Sequence, residues 1–76
     1  MKKYKKFWYE VFISEFHGIK LLKSFDTLKK AKYYADEFLK KNPNYDGTIG
    51  IDKWETVNGW KCYQSRQYLV LIKGLK

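Results

Sequence analysis

The dipeptide Asn58-Gly59, set between Val57 and Trp60, constrains this chain more than any other feature. Both residues tolerate positive φ, and apolar residues flank them, so they specify a two-residue type I′ hairpin turn. That turn predicts Val57 opposite Trp60 and Trp54 opposite Tyr63. Residues 48–57 read as the incoming strand, with Ile49 and Ile51 buried, and residues 60–64 as the outgoing one. Ser65-Arg66-Gln67 reads as a bulge or bend that leaves the last strand continuous or split in two. Residues 68–72 form a nearly unbroken apolar run, the pattern of a central strand or one covered on both faces.

The first half carries a second hairpin and then a helix. Residues 7–14 alternate, with Phe7, Tyr9, Val11 and Ile13 on one face and Trp8, Glu10, Phe12 and Ser14 on the other. Glu15-Phe16-His17-Gly18 supplies the turn, with Gly18 available for positive φ, and residues 19–25 return. Asp26 and Thr27 are both good N-caps. Beyond them Leu28, Ala31, Ala35, Phe38 and Leu39 form one apolar stripe, which Asn42-Pro43-Asn44 ends. The fold expected is α+β with two layers: an antiparallel sheet of four or five strands (β-β-α-β-β) covered on one face by a single helix. Residues 1–76 make one small domain, with residues 1–6 as a flexible basic arm.

The chain has 16 basic residues against 8 acidic ones, a formal charge of +8, and aromatics make up 20% of its 76 residues. That potential favours anionic partners, and the rings offer flat surfaces for stacking. Lysine supplies all of the basic side chains except Arg66. A Lys-rich, Arg-poor balance also follows from an AT-rich genome, and base reading uses Arg more than Lys. Cys62 is the single cysteine, so no internal disulfide forms, which fits a reducing compartment. No secretory signal and no bilayer-spanning run is legible, and a cytoplasmic location in a bacterial host cell is the expectation.

A sheet covered by one helix leaves a second face to be explained. Trp8 and Phe12 project onto it from the first strand, and Trp54 and Tyr63 join them from the second hairpin. With Lys6, Lys61 and Arg66 alongside, these rings meet the needs of a stacking platform with phosphate contacts. The same rings equally suit a protein interface, which is the commoner use of an apolar patch on a small domain. Lys29, Lys32, Tyr33 and Lys40 on the helix exterior form a second candidate, able to follow a phosphate backbone or to serve as a solvated face.

Catalysis finds no support. His17 is the only histidine and has no evident partner. Cys62 lacks an adjacent base. Asp52 and Glu55 differ by an odd number and so face opposite ways in a regular strand. One His and one Cys make no zinc site, and no phosphate-cradling glycine loop is present. Neither a cofactor, a metal, a membrane nor a small-molecule substrate is expected.

The junction Ser24-Phe25-Asp26-Thr27-Leu28-Lys29-Lys30-Ala31, followed by Tyr34-Ala35 and Leu39, resembles the strand-to-helix step of the arm-type DNA-binding domain of tyrosine integrases. The resemblance covers about a quarter of the chain and implies DNA contact through the sheet. The chain departs from it by continuing into further strands after the helix. In size and composition the protein is also similar to phage proteins that block host defences, including anti-CRISPR proteins. At +8 it is no acidic DNA mimic. The function expected is thus a non-enzymatic binding module of phage or mobile-element type that engages nucleic acid or a nucleoprotein. The alternative is an inhibitor of a bacterial defence system that acts through protein contacts, on an acidic protein surface.

Overall fold

The computed structural model describes residues 6–15 and 18–72. It has the order β1 (Lys6–Glu15), β2 (Gly18–Phe25), α1 (Leu28–Lys41), β3 (Gly47–Val57) and β4 (Trp60–Ile72). The four strands form one antiparallel sheet in the order β2-β1-β3-β4, with α1 laid across one face. The two-layer α+β architecture is therefore as the residue pattern implied, and the last strand is continuous rather than split. Lys6 opens β1 rather than belonging to an arm. The rest of that basic segment, residues 1–5, lies outside the described residues, as do Phe16 and His17 of the first turn.

Alternation sorts the sheet into two faces. Val11 pairs with Ile51 and Ile13 with Ile49, and these four side chains meet Ala31 and Ala35 of the helix. The two alanines are fully buried, so the helix axis approaches the sheet closely. Tyr34 packs against Phe25 at a centroid distance of 5.3 Å, and Phe38 meets Tyr45 edge-on at 5.4 Å. Thr27 caps the helix by accepting a hydrogen bond at Oγ1 from the Lys30 amide, 3.2 Å away. At the other end Asn42 donates to the Phe38 carbonyl from its backbone (3.0 Å) and its side-chain amide (2.8 Å).

The second turn forms as its residues require. Asn58 and Gly59 take φ of 52° and 83°, Val57 pairs with Trp60, and Trp54 pairs with Tyr63. Two expectations change. Phe7, expected to meet the helix with Tyr9, is 48% exposed. The reason is position: β2 ends at Phe25, level with Tyr9, and the chain turns there into α1, leaving Phe7 beyond the covered zone. Lys53 places its ammonium 4.6 Å from the Phe7 ring instead. The run 68–72 is not central either, because β4 is a sheet edge. Tyr68, Val70 and Ile72 pack on the helix side, while Leu69 and Leu71 stand exposed on the other face, at 53% and 67%.

A candidate docking surface on the open sheet face

The face opposite the helix gathers the sequence-derived candidates from three strands. Trp8, Trp54 and Tyr63 lie in one row across β1, β3 and β4. Trp54 meets Tyr63 edge-on at 5.3 Å. Glu10, one pair further along β1, ties this row together. Its Oε2 accepts a 2.8 Å hydrogen bond from Trp8 Nε1 and lies 3.1 Å from the Lys61 ammonium. Lys61 in turn sits 4.2 Å from the Trp54 ring centroid and 5.9 Å from that of Trp8. The carboxylate thus fixes the lysine over the rings.

A second assembly fills the middle of the face. Phe12 is opposite Gly50, and its ring occupies the space a side chain at residue 50 would take. A Cβ placed on Gly50 would stand only 2.5 Å from Phe12 Cζ. Arg66 covers the other side of the ring, with its Cζ 5.1 Å from the centroid. The guanidinium reaches Asp52 in a fork, Nε to Oδ1 at 2.8 Å and Nη2 to Oδ2 at 3.3 Å. The Asp52 hydrogen bond is the chief reason the Arg66 guanidinium is held above its usual range. Phe12 is consequently only 6% exposed. The expectation that it stands free as a stacking ring is corrected: it points to the open face but lies sandwiched between the β3 backbone and Arg66.

Arg66 reaches this face through two irregularities. The β3–β4 register shifts between Lys53 and Trp54 and again between Ile51 and Asp52, which leaves Gln64 and Gln67 without partners. Had pairing continued unbroken from Trp54 and Tyr63, Arg66 would oppose Ile51 on the helix side, because a one-residue slip exchanges the faces. The first bulge therefore places the only arginine of the chain opposite Asp52.

The remaining third of the face is aliphatic. Ser14 and Thr48 make a low centre on β1 and β3, closed at one end by the Phe12 ring over Gly50, while Ile19 and Leu21 on β2 and Leu69 and Leu71 on β4 rise on either side. All four aliphatic side chains are exposed. None was singled out in the sequence, although the period-two placement of Leu69 and Leu71 against Tyr68 and Val70 carried the signal. Glu10 and Asp52 were missed as partners, since their roles depend on cross-strand register.

Most of the described lysines lie away from the open-face rings. Among the described residues the open face carries Lys6, Lys61 and Arg66, two of them paired with Glu10 and Asp52. Lys20, Lys23, Lys53 and the five lysines of α1 belong to the helix layer. There Lys29, Lys32, Tyr33 and Lys40 are exposed, with Lys40 bridged to Glu37 at 3.4 Å. Cys62, half-buried, pairs with Glu55 on the helix side of β4. No group of three or more metal-ligating side chains occurs among the described residues, and no helix there is long and apolar enough to cross a membrane. Comparison of the chain with protein-family models, curated proteins and solved structures found no match.

Proposed function

We propose that this protein is a non-enzymatic binding module that docks a partner protein on the open face of its sheet. The observation that carries the reading is the composition of that face. Trp8, Trp54, Tyr63, Phe12 and Arg66 are the residue types enriched in the centres of protein interfaces, where lysine is depleted. An aliphatic trough, bounded by Ile19, Leu21, Leu69 and Leu71, extends the same surface. The charged groups between are already partnered, so docking would not strip water from isolated ions. The resemblance to phage-encoded inhibitors supplies the setting, a small protein that occupies a working surface of a host defence complex.

Nucleic acid or a nucleoprotein is the second reading, and the lysine-bearing exterior of α1 is what favours it. Lys29, Lys32 and Lys40 with Tyr33 would follow phosphates there. Photo-crosslinking in cells separates the two. A benzoylphenylalanine at Leu71 should give a protein adduct that survives nuclease treatment, while one at Lys32 should give none. A nuclease-sensitive adduct at Lys32, with nothing at Leu71, would reverse the choice.

A further inference from the structure

A second recognition surface lies on the opposite layer, independent of the open face. Between one flank of α1 and the end of β2 runs a groove of about 640 Å³. Phe25, Tyr34 and Tyr33 line its apolar part, and Glu37, its one acidic lining residue, is bridged to Lys40 at 3.4 Å. Lys30 at its side is engaged with Asp26 at 3.1 Å, a contact that holds the Asp26 carboxyl below its usual range. Lys29 and Lys41 mark the two ends of the groove, and neither has a carboxylate within ion-pair distance among the described residues. They stand twelve positions apart along the helix, a span of about 18 Å at 1.5 Å per residue.

The β2 strand beside this flank is a sheet edge, with no strand beyond it among the described residues. Its helix-side row consists of Lys20, Leu22, Lys23 and Phe25, with the Lys23 ammonium 5.6 Å from the Phe25 ring. An edge strand offers a ladder of unpaired amides and carbonyls, which a peptide main chain matches and a sugar-phosphate chain does not. Side chains alternate along an added strand, so every second one would lie toward the aromatic groove. The lysines at its margins select carboxylates for the rest.

From this we infer that the β2 edge and the α1 groove together take up an extended acidic segment of a partner protein as a fifth strand. Its bulky apolar side chains would enter over Phe25, Tyr33 and Tyr34, and its carboxylates would meet Lys20, Lys23, Lys29 and Lys41. A stretch of about seven to nine residues matches the eight-residue β2.

The test is selection of a random nine-residue peptide display library on the folded full chain, followed by synthesis of the enriched sequences. Acidic peptides with bulky apolar residues at alternate positions should emerge. The Lys29→Glu/Lys41→Glu double variant should bind them at least about tenfold more weakly, whereas Lys32→Glu on the opposite flank should stay within about threefold. Methylating alternate backbone nitrogens of the peptide should cost a further loss of about tenfold, because the ladder hydrogen bonds vanish. In ¹⁵N spectra the largest amide shifts should fall in residues 18–25. The inference is overturned if no acidic pattern emerges, if the N-methylated peptide binds equally well, or if the shifts map to Leu69 and Leu71. It is equally overturned if a labelled twelve-nucleotide oligothymidine displaces the peptide and binds the groove more tightly.

Discussion

The two faces of this sheet solve the same problem by different means. On the helix side Val11, Ile13, Ile49 and Ile51 are roofed by Ala31 and Ala35, and water is excluded by a second layer of secondary structure. On the open side no element provides a roof, so long side chains do it: Arg66 lies over Phe12, and Lys61 lies over Trp54. The first device needs only shape and apolar surface. The second needs a carboxylate beneath each cation, and Asp52 and Glu10 fill that role. A small domain with one helix can thus order both faces, at the cost of committing Lys61 and Arg66 internally. What remains available there is mainly apolar, with Lys6 at one margin.

The largest way to break this comparison is in the covered face. Ile51→Ala removes a fully buried side chain and should cost about 3–4 kcal/mol in denaturant unfolding, whereas Leu71→Ala on the open face should stay within about 0.5 kcal/mol. Equal losses at the two positions would mean that both faces are covered.

Gly50→Ala tests the open face's own construction. The added methyl would meet Phe12 Cζ at 2.5 Å and the Tyr68 carbonyl oxygen at 3.0 Å, so the ring must leave its seat. A destabilisation of about 2 kcal/mol is expected from overpacking. A neutral or stabilising substitution would show that Phe12 does not occupy that space.

Asp52→Asn should cost about 1–2 kcal/mol, because the partly exposed Arg66 keeps some access to water after losing its partner. Paired with Arg66→Gln in a double-mutant cycle, it should show a coupling of about 1 kcal/mol. Additive losses would dissolve the pair as the holder of Phe12.

The smallest effect sharpens the covered side. Burial is the main influence that pushes the Tyr45 phenol above its usual range, with the charges of Glu15 and Asp46 adding to it. A raised folded-state pKa means that stability is full below the unfolded value of about 10 and declines as pH rises past it. Relative to Tyr45→Phe, the wild-type chain should lose stability only above about pH 10. A difference that grows toward acid pH would contradict the sign.

How far the sequence discloses this arrangement depends on how local each determinant is. Asn58-Gly59 sets its own turn and the pairs next to it, and Thr27 and Asn42 bound the helix as their chemistry implies. The faces of β1 follow from alternation. Arg66 is different: its side of the sheet is decided by the extra residue Gln64, one position before the bulge or bend expected at Ser65-Arg66-Gln67. The edge position of β4 was hidden, because strand order is a property of the assembled sheet and residues 68–72 look alike in a centre or an edge. Phe12 shows the consequence. Its face was legible, but its burial required knowing that Gly50 lies beneath it and Arg66 above.

The most direct test asks whether the open-face cations are spent where they stand. A fluorescein-labelled twenty-nucleotide single strand would be titrated over a salt series with the wild-type chain and with the folded Lys61→Gln/Arg66→Gln variant. Each phosphate contact contributes about 0.7 to the log–log slope for single strands. Expected is the same slope for both proteins, any binding arising from lysines other than Lys61. A slope shallower by about 1.4 in the variant would mean that Lys61 and Arg66 contact phosphate, and the open face would then be a nucleic-acid surface after all.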